Sequence, residues 1–150
     1  MNDLSDLYQE IIMDHRRNPR NEGLPAEHTH TADGFNPFCG DKVSVALIIE
    51  DGSITDVGFT GEGCAISIAS ASLMTEAVSG KSVEEATASF EGFRALLTDG
   101  DRKLPDGVDL GDLEALAGVR AYPTRIKCAT LSWHTLKSAL DKESASATTE

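Results

Sequence analysis

The chemistry this chain can do is concentrated in three cysteines and an aspartate. Cys39 follows Asn36-Pro37-Phe38 and is trailed by Gly40 and Asp41, Cys64 follows Gly61-Glu62-Gly63, and Cys128 follows Arg125-Ile126-Lys127. All three cysteines sit at the edges of elements, beside glycine, proline or charge. Cys39 and Asp41 are spaced i, i+2, which at a strand entrance puts both side chains on one face. Cys64 stands where a helix begins, and there the helix dipole and free N–H groups favour a thiolate. Arg125 and Lys127 can do the same for Cys128 early in the last helix. Three potential thiolates and a carboxylate form a zinc donor set, because zinc accepts sulfur and carboxylate oxygen in a tetrahedral shell. A free cysteine taken singly is more often a small buried hydrophobe, and these cysteines form no CxxC pair. His28 and His30, also i, i+2, read as solvated loop residues. His15 caps or covers the first helix, and His134 lies on the last helix, away from the donors. Nothing pairs a cysteine with a histidine base, as a thiol hydrolase requires.

The bulk numbers narrow the setting. A length of 150 residues suits one domain with a real core, and 40% apolar residues is enough to build it. A formal charge of -12 argues against nucleic acid and against anionic membranes as partners, since both need clustered Lys and Arg. No apolar stretch approaches the roughly 20 residues of a membrane span. The start, MNDLSDLYQE, lacks the basic and apolar regions of a signal peptide. The expected setting is therefore the cytoplasm, with thiols kept reduced, and the odd cysteine count also disfavours a disulfide framework.

The donors need elements to hold them. Leu4, Leu7, Tyr8, Ile11, Ile12 and His15 recur at helical spacing after Asn2-Asp3, up to Asn18-Pro19. Residues 20–34 are polar and read as loop. From Lys42 the period changes to two, with Val43, Val45, Leu47 and Ile49 on one face. Asp51-Gly52 marks a hairpin, and the return strand at about 53–60 puts Thr55, Val57 and Phe59 on one face. Residues 64–78 read as a helix of small side chains stopped by Ser79-Gly80. Ser82-Val83-Glu84-Glu85 is a capping box opening another helix, with Phe90, Phe93, Leu96 and Leu97 on its apolar face. Residues 98–109 read as a polar loop. Leu110, Leu113 and Leu116 suggest a short helix ended by Gly118. After Tyr122-Pro123 the last helix places Ile126, Ala129, Trp133, Leu136 and Leu140 on one side. The pattern gives an α+β class in a single domain over 1–150, with 141–150 a disordered tail.

Four motifs together carry a family resemblance: Asp14-His15 with Asn18-Pro19-Arg20-Asn21, Asn36-Pro37-Phe38-Cys39-Gly40-Asp41, Gly61-Glu62-Gly63-Cys64-Ala65-Ile66-Ser67, and Tyr122-Pro123-Thr124-Arg125-Ile126-Lys127-Cys128-Ala129. The chain resembles the U-type iron–sulfur cluster assembly proteins over about residues 4–140, and most closely their SufU branch. Two features select that branch. Lys127 stands where the IscU scaffold branch normally has a histidine, removing one potential cluster ligand. The SufU branch also carries an extra segment between its second and third cysteines, here including about residues 98–118. The resemblance implies a small antiparallel sheet with helices packed on it, of the SufE/IscU-like kind. It implies zinc held by Cys39, Asp41, Cys64 and Cys128, and a PLP-dependent cysteine desulfurase of the SufS type as partner. The implied task is to receive persulfide sulfur on Cys39, released from zinc when a desulfurase histidine takes its place, and to pass it to downstream cluster-assembly proteins. The alternative is a scaffold on which a transient iron–sulfur cluster is built.

Overall fold

The computed structural model describes residues 3–37, 39–98, 110–141 and 147–148. The expected 98–109 loop lies outside these residues apart from Thr98, and so does the expected tail apart from Asp141 and Ala147–Thr148. The elements in chain order are α1 (Asp3–Arg17), β1 (His30–Asn36), β2 (Asp41–Glu50), β3 (Ser53–Glu62), α2 (Ala65–Val78), α3 (Val83–Thr98), a 3₁₀ helix (Gly111–Ala121), α4 (Pro123–Leu140) and β4 (Ala147–Thr148). The sheet order is β3-β2-β1-β4, antiparallel through the first three strands, with β4 a two-residue parallel addition beside Gly34 and Phe35.

The β2–β3 hairpin turns where expected. Asp51 and Gly52 take φ of 52° and 78°, the paired positive values of a two-residue turn that matches strand twist. Val43, Val45 and Leu47 are buried on the inward face of β2. On β3 one expectation is corrected. A register shift follows Ile49↔Ile54, and the next pair is Ile48↔Asp56. Thr55 is thus the extra residue of a bulge, and the inward face is Ile54, Val57 and Phe59. Thr55 is exposed, and its hydroxyl donates to the Ile48 carbonyl at 3.3 Å.

β1 overturns the reading of 20–34 as continuous loop. His30–Asn36 pairs residue for residue with Asp41–Leu47. Its inward residues are Ala32, Gly34 and Asn36. None is large or branched, so the usual strand signal is missing, because α4 lies close against this strand and leaves room only for small groups. The outer edge of β3 is covered too. The Gly23 N–H donates to the Phe59 carbonyl at 2.7 Å, the Phe59 N–H donates to the Asn21 carbonyl at 3.2 Å, and the Ile54 N–H donates to the Lys81 carbonyl at 2.8 Å.

The inward sheet face packs on α4 and α2. Trp133 is fully buried, with the Phe93 ring centroid at 5.4 Å and the Phe90 centroid at 5.8 Å. α2 is buried along most of its length through Ser67, Ala69, Ser70, Ala71, Ser72, Leu73, Met74, Thr75 and Val78. Its small side chains let neighbours approach closely, as the composition suggested. The 3₁₀ helix runs through Gly118 to Ala121, longer and more tightly wound than the short α-helix expected to end at Gly118. It packs on α1 and α3 with Leu113 and Leu116 inward. In the described residues no helix is long and apolar enough to cross a membrane.

His15 does not cover the first helix at the surface. It is 3% exposed, its Nδ1 meets the Ser72 hydroxyl at 2.7 Å, and its Nε2 faces Glu76 at 3.6 Å. The Arg20 N–H also donates to Ser72 Oγ, at 2.8 Å, and Asn21 Nδ2 donates to Thr75 Oγ1 at 3.1 Å. This network ties α1 and the turn after it to α2. Burial is the main cause that pushes the His15 ring below its ordinary pKa, with Arg20 adding to it and Glu76 opposing.

Candidate metal centre

The donors converge where β1 turns into β2. Asn36 and Asp41 face each other as the last pair of that ladder, and the Gly40 N–H closes the turn on the Asn36 carbonyl at 2.8 Å. Cys39 rides on this turn and is exposed. Gly40 supplies the positive φ, 73°, that the reversal needs. Asp41 is fully buried at the start of β2, while Cys39 lies in the turn before it and is exposed, so the strand alternation expected for the i, i+2 pair does not apply and the reversal at Gly40 sets where the two side chains meet. Cys128 arrives from α4, 2% exposed. Its sulfur lies 3.3 Å from Cys39 Sγ, although 89 residues separate the two.

One donor atom each from Cys39, Asp41 and Cys128 lies within 4.8 Å of the others. Cys64 stands beside this group, near Asp41 but not within that limit of every member. Its thiol approaches Asp41 Oδ2 at 3.8 Å, and it occupies the residue just before α2 with extended backbone, φ -72° and ψ 165°. Asp41 divides its oxygens. Oδ1 accepts the Cys64 N–H at 2.9 Å, so this carboxylate caps α2 from a different strand. Oδ2 remains turned toward the sulfurs. Gly63 makes room for this, since a side-chain carbon there would overlap the Asp41 carboxylate, and its φ of 149° is one only glycine tolerates readily.

Sequence reasoning missed Asn36. It is fully buried, and its Nδ2 lies 3.5 Å from Asp41 Oδ2 and 3.6 Å from Cys128 Sγ. These are long contacts, and both point amide hydrogens at atoms that would carry negative charge. The available signal was its place at the head of the Asn36-Pro37-Phe38-Cys39-Gly40-Asp41 motif, which marked the stretch but gave no reason to weigh a residue three before the cysteine as its orienting group. Arg125, read from the sequence as a cation that could favour a Cys128 thiolate, holds its guanidinium 5.0 Å from the Tyr122 ring centroid.

Burial, first, and then the Cys39 thiol, the Asp41 carboxylate and Cys64 push the Cys128 thiol well above the ordinary thiol range. The donor set thus suits a bound cation. Without a cation the buried thiol keeps its proton; a bound cation would offset the charge of the carboxylate and of thiolates beside it, so binding would be coupled to loss of thiol protons. His28 and His30 take no part in the cluster. His28 Nδ1 lies 3.3 Å from the Pro25 carbonyl, and His30 Nδ1 lies 2.7 Å from Thr29 Oγ1.

The family model described as NifU-like N terminal domain matches residues 7–129. The chain belongs to this family. It is 44% identical over 140 residues to the zinc-dependent sulfurtransferase SufU of Bacillus subtilis (strain 168), covering 93% of each chain. It is 41% identical over 144 residues to the iron–sulfur cluster assembly scaffold protein IscU of Streptococcus pyogenes serotype M1, covering 96% of this chain and 88% of that one. The fold superimposes with a TM-score of 0.80 and 34% identity on the crystal structure of a candidate SUF-system scaffold protein from Fervidobacterium islandicum AW-1, over 87% of this chain and 94% of that one. The sheet with helices packed on one face is the architecture of these U-type relatives, and the sequence motifs had implied it.

Proposed function

We propose that this NifU-like chain is a zinc-dependent sulfurtransferase that receives sulfur on Cys39 for iron–sulfur cluster assembly. The single observation that carries the reading is an exposed thiol on a glycine turn, set against a buried aspartate and a buried cysteine that could share a metal with it. The likeness to the Bacillus subtilis zinc-dependent sulfurtransferase over 93% of both chains supports it. Cys39, Asp41, Cys64 and Cys128 would hold the ion. Zinc, when bound, keeps its sulfur ligands in the thiolate form near neutral pH without a histidine base.

Within this reading the chain's own residues divide the work. Asp41 orients toward the sulfurs while fixing the start of α2. Cys128 and Asn36 form the buried wall. Cys39 is the nucleophile, since it alone of the three thiols is exposed. Its sulfur attacks the outer sulfur of a persulfide on the donor. A new S–S bond forms on Cys39, the donor's S–S bond breaks, and the donor cysteine leaves as thiolate. The donor we propose is a SufS-type cysteine desulfurase, which carries its own PLP. The whole chain acts as one domain, in the cytoplasm, and hands its sulfur to downstream cluster-assembly proteins.

Incubation with a desulfurase and L-cysteine, followed by thiol trapping and peptide mass mapping, should place the extra sulfur on Cys39, and Cys39→Ser should abolish it. Sulfur found only on Cys64 or Cys128 refutes the assignment. The Streptococcus pyogenes relative favours the scaffold as a second reading. Colourless protein with zinc as isolated supports sulfur transfer, whereas brown protein that passes on a cluster supports the scaffold.

A further inference from the structure

Two sulfurs that touch in this molecule differ sharply in access. Cys39 is exposed, and Cys128, 3.3 Å away, is 2% exposed. We infer that Cys39 and Cys128 form a peroxide-sensitive thiol pair, in which the surface cysteine is oxidised first and the buried one resolves it to a disulfide. The inference rests on placement alone and stands whether or not Cys39 carries sulfur in the transfer reaction.

Three observations select this pair over the others. A small peroxide reaches Cys39 from solvent, because Cys39 and Gly40 are both exposed and nothing stands within 4 Å of where a Gly40 side-chain carbon would lie. Cys128 is shielded within α4, 2% exposed, and touches the exposed Cys39 sulfur. Cys64 is turned differently. Its thiol lies against Asp41 Oδ2 at 3.8 Å, and its backbone N–H is held by Oδ1 of the same carboxylate. Reaching Cys39 would require Cys64 to leave that carboxylate, whereas Cys39 and Cys128 already touch. An accessible thiol beside a resolving thiol is the arrangement that oxidation by peroxide selects.

The step balances with a hydroperoxide as oxidant. The Cys39 thiolate attacks the O–O bond, forming an S–O bond and a sulfenic acid while hydroxide departs. The Cys128 sulfur then attacks Cys39 Sγ, the S–S bond forms, the S–O bond breaks, and the hydroxyl leaves as water with the Cys128 proton. Two thiols are oxidised and one peroxide is reduced to two waters. The product joins the β1–β2 turn to α4, consumes two donors of the metal centre, and returns to the dithiol on treatment with a thiol reductant.

The test uses the full-length protein, with a chelator present to capture released metal. It is exposed to equimolar hydrogen peroxide, alkylated, and digested without reductant. The expected product is a linked pair of peptides containing Cys39 and Cys128, with Cys64 alkylated, and dithiothreitol should reverse the link. Cys64→Ser should leave the link intact. Cys128→Ser should leave a sulfenic acid on Cys39 that a cyclic dione traps. The wild-type map needs no variant, so a variant that fails to fold does not rescue the idea. A Cys39–Cys64 link, sulfinic acid on Cys39 without any link, or three thiols unchanged by peroxide would each overturn the pair. Persulfide on Cys39 in the desulfurase assay together with any of these results would sink this inference and leave the transfer reading standing.

Discussion

α2 and α3 start in ways that look alike chemically and differ in origin. At α3 the Ser82 N–H donates to Glu85 Oε1 at 3.0 Å, and the Glu85 N–H donates back to Ser82 Oγ at 3.0 Å. At α2 the N–H of Cys64, the corresponding residue, donates to Asp41 Oδ1, a carboxylate 23 residues earlier on β2. The first cap is closed within its own turn and serves only its helix. The second spends one oxygen on the helix and turns the other toward sulfur. A local cap reports how a helix is stabilised, whereas a cap borrowed from another strand reports that two elements have been brought together for a further purpose.

The comparison breaks first at Asp41. Asp41→Ala should release the metal and uncap α2 at once. Zinc content as isolated should fall toward zero, and urea unfolding should lose about 1–3 kcal/mol for the unpaired N–H. Retention of zinc by this variant would mean that Asp41 only caps. A second change sharpens the site alone. Asn36→Ala removes an orienting amide that is not itself a donor, and should weaken zinc roughly 10- to 100-fold in chelator competition. The mirror change is Ser82→Ala, which should cost about 1 kcal/mol in stability and leave zinc and sulfur acceptance untouched. A loss of zinc there would erase the distinction between the two caps.

The smallest expected effect is on pH dependence, through the network that anchors the far side of α2. His15 is buried and its folded pKa lies below the unfolded value of 6.5. The unfolded chain therefore binds more protons in the interval between those values. The contribution to stability is fully present above 6.5 and is lost as pH falls through the folded value. His134, lowered chiefly by burial and also by Arg94, acts in the same direction. The urea midpoint should thus drop between about pH 7.5 and about pH 5.5, and His15→Gln should flatten that slope. An unchanged slope in the variant would assign the effect elsewhere.

The legible parts of the molecule are those whose reason is local. Asp51-Gly52, the Ser82 box and the alternation of β2 each stand in a few consecutive residues, and each took the form expected. The family motifs reached further, because they pointed to donors that no spacing rule joins. What was hidden depends on neighbours far along the chain. β1 reads as loop because α4 permits only Ala32, Gly34 and Asn36 on its inner face. Thr55 leaves its expected face because a bulge shifts the register. His15 is buried because Ser72 and Glu76 wait for it on α2. Asn36 acquires meaning only when Cys128 arrives from α4.

The covered rim of β3 has a consequence for the protein between metal loadings. Asn21, Gly23 and Lys81 occupy the backbone groups that a neighbouring molecule would need for strand-to-strand growth. An emptied molecule meets a second one at these groups only after Asn21, Gly23 or Lys81 lets go of Phe59 or Ile54.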